Sequence, residues 1–165
     1  MLRRSLIVAV VALAAAGAAS SHRTAAAFPV TVHAANGDVT ITKRPTRVIS
    51  LSPTATEDLF ALGAGRQVIA VDEDSDYPKQ APRTKLSGFT PNAEAVAGYN
   101  PDLVVVSNDG GIVAQLQKLG IPVLLEPAAD TIAQAYDQIR QLGIATGQSG
   151  GATKVVRAMQ RKLTT

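Results

Sequence analysis

The chain contains no cysteine and no tryptophan, and its only histidines are His22 and His33. Without cysteine there is no disulfide framework, thiolate metal site, cysteine nucleophile or lipobox cysteine to carry a lipid. The two histidines stand far from any other cluster of ligand-type residues, which excludes a His-rich zinc or copper site, and no metal ligand is nominated. Catalytic signatures are missing too. Ser50, Ser52 and Ser107 lie outside any Gly-x-Ser-x-Gly elbow, and no His falls near them to act as a base. No phosphate loop is present, and no dinucleotide fingerprint follows the first strand. The sequence therefore reads as a non-enzyme with no catalytic residue and no resident cofactor.

A basic face is also lacking. The 16 Lys and Arg exceed the 13 Asp and Glu only because of the chain ends, with Arg3, Arg4 and Arg23 in the first 27 residues, where no acid occurs. Lys154, Arg157, Arg161 and Lys162 crowd the last dozen positions, leaving 9 bases against 13 acids in residues 28–153. A mildly acidic body excludes nucleic acid as a partner. The length of 165 residues fits one domain, or one domain with a tail.

The amino terminus reads as an export signal. Arg3-Arg4 form a positive n-region, Leu6 to Ala16 an apolar core, and Ala25-Ala26-Ala27 the small residues a signal peptidase needs. Cleavage is expected after Ala27, making Phe28 the mature start, with Ala19 as a second candidate. The apolar core is shorter than the roughly 20 residues that span a bilayer, which argues against a permanent anchor. A periplasmic or extracellular location follows, in keeping with a body free of thiols.

The mature chain opens with a hairpin, residues 30–34 and 38–42 about a type I′ turn at Asn36-Gly37. From Arg47 onward, apolar runs alternate with helical patterns. Strands are predicted at 48–51, 68–71, 103–106 and 123–125. Thr54 to Glu57 reads as a capping box opening a helix with Ala55, Leu59 and Leu62 on one face and Gly63 as its stop. Asn92 caps a short helix through Val96. Ile112, Leu116 and Leu119 line a helix ended by Gly120. Asp130 caps a helix presenting Ile132, Ala135, Tyr136, Ile139 and Leu142, its end loosened by Gly143 and Gly147. A last helix runs from about Ser149. The fold class is α/β, a parallel doubly wound sheet of about four to five strands with flanking helices, preceded by a β-hairpin and followed by a long helix.

Ligands of such sheets bind beyond the carboxyl ends of the strands. Those loops are Ser52-Pro53-Thr54, Asp72 to Tyr77, Ser107 to Gly111 and Glu126 to Asp130. Ser52-Pro53-Thr54 opens a helix whose free N–H groups suit an anionic or carbonyl group, with plain capping as the alternative. Asp72-Glu73-Asp74-Ser75-Asp76 suits a cation but lacks calcium-loop spacing, so a solvated acidic loop is the favoured reading. Asn108-Asp109-Gly110-Gly111 permits close backbone approach to a ligand, or simply makes a tight turn. Glu94, in the first turn of its helix, is by position an ordinary surface acid.

The segments Arg47-Val-Ile-Ser-Leu-Ser-Pro-Thr-Ala-Thr-Glu57, Leu62-Gly-Ala-Gly65, Ser75-Asp-Tyr-Pro78, Asn92-Ala-Glu94, Pro101-Asp-Leu-Val-Val105 and Leu119-Gly-Ile-Pro-Val123 occur in this order. Together they resemble the amino-terminal lobe of the iron-siderophore, haem and cobalamin binding proteins of ABC importers. The resemblance implies a soluble receptor that captures a metal-chelate cofactor outside the membrane and delivers it to ABC permease subunits. It implies that Glu94 docks on permease arginines, where a planar guanidinium meets a carboxylate bidentately. Ligand contacts carry over to Pro53, Thr54, Asp74, Ser107 and Asn108.

Relatives in that family have two lobes joined by a long helix, which divides this chain into a signal at 1–27, a lobe at 28–148 and the start of the connecting helix at 149–165. The second lobe is then absent, and the chain is read as a truncated form or fragment. Val155, Val156, Met159 and Leu163 form a stripe expected to lie uncovered, at a cost of several kcal/mol given about 1.5–3 kcal/mol per buried side chain. Self-association through this last helix would cover it. Near the ligand loops only Tyr77 and Phe89 offer rings for stacking. Two other readings stay open: a secreted enzyme or phosphoacceptor domain using the acidic loop at 72–76, and an interaction module assembling through the last helix.

Overall fold

The computed structural model describes residues 27–163, so the expected signal segment up to residue 26 lies outside the described residues. Its core is a five-stranded parallel sheet built from β3 (Val48–Leu51), β4 (Val68–Asp72), β5 (Arg83–Leu86), β6 (Leu103–Val106) and β7 (Val123–Leu125), in the order β5-β4-β3-β6-β7. The hairpin β1 (Val30–Ala34) and β2 (Gly37–Ile41) forms a separate two-stranded sheet. Helices α1 (Pro53–Ala61), α2 (Ala93–Ala97), α3 (Ile112–Lys118), α4 (Ile132–Thr146) and α5 (Ser149–Leu163) complete the chain.

Two-residue periodicity divides the sheet into two faces. Val48, Val71, Leu103, Val105 and Leu124 pack beneath α1, α4, α5 and the hairpin, whereas Ile49, Leu51, Ala70, Val104, Val106 and Val123 pack beneath α2 and α3. Every residue of β3 and β6 is buried, the signature of central parallel strands covered on both sides. The chain leaves β3 toward β4 on one side and returns to β6 on the other. That reversal makes the β3/β6 junction the topological switch point, where crest loops diverge and leave room for a ligand.

Several local expectations are corrected. The turn uses Ala35-Asn36, with Ala34 paired to Gly37 at φ 98°. Asn36 has no positive φ, so this is not a type I′ turn. Its side chain instead bonds the edge of β7, Nδ2 donating to the Val123 carbonyl at 3.0 Å and Oδ1 accepting from Leu125 N–H at 3.0 Å. The hairpin thereby covers a sheet edge. Helix α1 is capped by Ser52, whose Oγ accepts from Ala55 N–H at 3.3 Å, with Pro53 in the first helical position; no capping box runs from Thr54 to Glu57. Thr131, not Asp130, caps α4, because Gln134 at the third position returns a side-chain bond to the Thr131 N–H. Ile132 and Leu119 sit at helix ends beyond the sheet and are exposed. The edge strand β5, Arg-Thr-Lys-Leu, has no apolar run to mark it, because only Leu86 of it is buried.

The last helix differs most from expectation. Val156 is buried against the core and Val155 and Met159 pack on its margin, so the stripe is covered by the rest of the lobe, with only Leu163 exposed. The closeness comes from glycines. A Cβ on Gly143, inside α4 rather than loosening its end, would sit 2.5 Å from Ala152 Cβ, and one on Gly151 would sit 1.8 Å from the Leu62 carbonyl oxygen. Gly147 is the left-handed C-cap of α4. Among the described residues no helix is long and apolar enough to cross a membrane.

Neighbouring glycines of α5 should respond oppositely to alanine. Nothing lies within 4 Å of a Cβ at Gly150, so Gly150→Ala should stabilise by up to about 1 kcal/mol through helix propensity. Gly151→Ala should destabilise by about 1–3 kcal/mol by forcing α5 off α1. Urea unfolding of the two variants checks the sign; equal effects would contradict the packing.

Candidate functional site

The crest of the sheet gathers the loops after β3, β4, β5, β6 and β7. Beneath it lies a chain of buried hydroxyls. Thr56 Oγ1 donates to Ser50 Oγ at 2.9 Å, Ser50 Oγ donates to the Ser52 carbonyl at 3.1 Å, and Thr56 and Ser75 hydroxyls are hydrogen-bonded at 3.0 Å. Ser75 N–H in turn donates to Asp72 Oδ1 at 2.9 Å. Asp72 and Ser75 are each 1% exposed, so the acidic loop is not simply solvated: its first member points inward and anchors it. Burial pushes the Asp72 carboxyl above its ordinary range, against the pull of its bonds to Ser75. Gly88 presses on the same carboxylate, since a Cβ there would meet Asp72 Oδ2 at 2.3 Å and the Leu51 carbonyl oxygen at 2.8 Å. One buried acid thus anchors the β4 loop by a hydrogen bond and packs closely against the β5 loop that carries Phe89.

At the switch point a cavity of about 450 Å³ opens between the β3, β6 and β7 loops, walled by α1 and α4. Pro53, Thr54 and Ser107 line it together. Asn108 stands outside its wall and holds the neighbouring loop, Nδ2 donating to the Phe89 carbonyl at 3.4 Å. Asp74 is exposed on the β4 loop and does not reach the cavity. Phe89 is 81% exposed and Tyr77 62%, leaving two rings uncovered on the crest. Glu94 is exposed in the first turn of α2, whose cap is Asn92. Ala27 is exposed, and Phe28 packs at the margin of the core beside Gly147. Among the described residues no group of three or more potential ligands is placed to hold a metal ion.

Two residues of the cavity wall were not singled out from sequence. Asp58 lies one helical turn beyond Thr54 on α1, and Glu126 follows β7, its N–H donating to the Val106 carbonyl at 2.8 Å. Their positions, an acid at i+4 from a crest threonine and an acid closing an apolar strand, do not by themselves set them apart from surface acids. Glu126 is 6% exposed, and among the described residues its Oε1 has no hydrogen-bond partner. Burial, and then the Asp58 charge, push the Glu126 carboxyl up to about 7; burial, and then Glu57, push Asp58 up to about 6.

Comparison with known proteins now has a geometry to rest on. Residues 48–165 match the family described as periplasmic binding protein. The chain belongs to that family. It is 34% identical over 172 residues to the uncharacterized ABC transporter substrate-binding lipoprotein YvrC of Bacillus subtilis (strain 168), covering 96% of this chain and 55% of that protein. It is 33% identical over 146 residues to the cobalamin-binding protein of Halobacterium salinarum (strain ATCC 29341 / DSM 671 / R1), covering 84% and 40% respectively. The solved periplasmic vitamin B12 binding protein BtuF of Vibrio cholerae superposes with a TM-score of 0.61 at 28% identity, over 72% of this chain and 48% of that one. The chain spans about half the length of the curated periplasmic binding proteins it matches. The one-lobe architecture expected from sequence agrees with this membership.

The carboxyls of Glu126 and Asp58 hold protons more tightly in the folded chain than in the unfolded one. Their contribution to stability is therefore full at about pH 4 and is lost as pH rises through about 6 to 7. Between pH 5 and 8 the wild type should lose on the order of 2 kcal/mol relative to Glu126→Gln in urea unfolding. Parallel pH dependence in the two proteins would contradict the assignment.

Proposed function

We propose that the chain is the amino-terminal, ligand-capturing lobe of an extracytoplasmic substrate-binding protein of an ABC importer, and that its cargo is a metal-chelate cofactor of the siderophore-iron, cobalamin or haem kind. The observation that carries this reading is the open cavity at the switch point, framed by Pro53, Thr54 and Ser107, with Phe89 and Tyr77 uncovered on the same crest. Such a surface binds a broad, partly apolar ligand through ring contact and a few polar groups. The family membership and the names of the cobalamin-binding relatives support it. Capture without chemical change is the activity, and no residue is assigned a catalytic role.

In this reading α5 continues toward a second lobe, and the ligand sits between lobes. Asn108 acts by holding the Phe89 loop, and Asp74 contacts only a ligand that extends over the β4 loop. Glu94 meets an arginine of the permease from its exposed place on α2. Export by the amino-terminal signal, with cleavage between Ala27 and Phe28, delivers the lobe to the outer face of the membrane.

Equilibrium dialysis of the chain against cyanocobalamin, a ferric hydroxamate and haemin tests the proposal. At least one should bind, with a micromolar to millimolar Kd because half of the enclosing surface is lacking; no binding at millimolar ligand would contradict it. Within a complete importer, Glu94→Arg should lower uptake about tenfold or more through charge repulsion while leaving chelate affinity unchanged. Unaltered uptake would remove the docking role.

A further inference from the structure

Asp58 on α1 and Glu126 after β7 line one cavity from two walls, and among the described residues Glu126 Oε1 is buried there without a hydrogen-bond partner. Among the described residues, no lysine, arginine or histidine lines that cavity. Gln138, which also lines it, donates one of its two Nε2 hydrogens to the Pro127 carbonyl at 2.7 Å. The Ser52 hydroxyl oxygen already accepts from Ala55 N–H. The hydroxyls of Ser52, Thr54 and Ser107 line the same cavity, yet among the described residues none donates to Glu126 Oε1, which is buried without a partner. A buried carboxyl oxygen without a donor costs about 1–3 kcal/mol or more, and it is retained where a partner arrives later.

We propose that Asp58 and Glu126 form a subsite that accepts N–H donors of the cargo, a primary amide or an ammonium group, and turns away carboxylates. The inference rests on the binding-protein reading above and narrows it to chelates whose periphery ends in amides or amines. An amide N–H₂ supplies two donors to a wall that has too few. A carboxylate entering the same space meets two acids and no cation, so rejection is built into the wall as well as attraction. Acids predominate around Glu126: Asp58 of α1 on one side, and Asp130 before α4 and Asp137 of α4 around the adjoining cavity of about 340 Å³, where His33 of β1 is the one basic side chain among the described lining residues. His33 is itself bound to Asp38 at 2.5 Å. The elevated proton affinities of Glu126 and Asp58 sharpen discrimination with pH. A protonated Glu126 donates as well as accepts, so the bias against carboxylates weakens below about pH 6.

Two forms of one corrin make the test: dicyanocobinamide, whose side chains end in primary amides, and dicyanocobyrinic acid, in which they end in carboxylates. Equilibrium dialysis of the chain at pH 8 should show a preference for the amide form of about tenfold or more. The preference should shrink at pH 5.5 and fall toward unity in Asp58→Asn/Glu126→Gln, whose fold is checked by circular dichroism. Equal binding in the wild type, or a preference unchanged by the double substitution, overturns the subsite and leaves the receptor reading standing. Uptake of a ferric hydroxamate with neither corrin bound has the same consequence. A chain that takes up none of the three overturns the receptor reading and the subsite with it.

Discussion

The pairing of β3 with β6, in register from Val48 opposite Leu103 to Leu51 opposite Val106, is the constraint on which the rest of the molecule depends. Both strands are shut away from water on both faces, and the order in which the chain adds strands reverses across them. Because the chain departs on opposite sides of this pair, the loops that follow β3 and β6 cannot close over one another. The gap they leave is the cavity. A function-bearing hollow here is a by-product of topology rather than of any special sequence at the site.

What surrounds the gap is held from below by polar groups that never see ligand. The hydroxyl chain from Ser50 through Thr56 to Ser75 locks the β3 loop, α1 and the β4 loop into one unit, and Asp72 extends it to Gly88. Buried networks of this kind are costly unless complete, which makes them rigid when they are complete. The carboxyl pair of Asp58 and Glu126 behaves differently. Among the described residues Glu126 Oε1 stands in the wall without a partner, which is why the pair is proposed for recognition rather than support.

Much of the architecture was legible in the sequence because strands buried on both faces write themselves as unbroken apolar runs, as in Leu103-Val-Val-Val106. The strand β5 was not, since an edge strand with one buried residue carries no such run. Helix starts were misjudged where two capping residues compete within a few positions. Pro53 decided the first case by fitting only the first helical turn, and Gln134 decided the second by completing a reciprocal pair of bonds with Thr131. The stripe on α5 was read as uncovered because nothing in its own sequence shows that Gly143 and Gly151 allow α4 and the end of α1 to approach it. At the crest, Pro53, Thr54 and Ser107 follow from loop position together with the family resemblance, and they do share a cavity. Glu126 and Asp58 were not, since an acid becomes informative only when its burial and lack of partners are known.

The account stands or falls on where cargo touches the lobe. Amide chemical-shift mapping of the ¹⁵N-labelled chain titrated with cyanocobalamin measures this directly. Perturbations should concentrate at Ser52 to Thr54, Gly88-Phe89, Ser107-Asn108 and Glu126 to Ala129, all on the carboxyl edge of the sheet. Shifts centred instead on the cavity around Arg44, Arg66 and Gln148 would place the ligand away from the switch point and contradict the account.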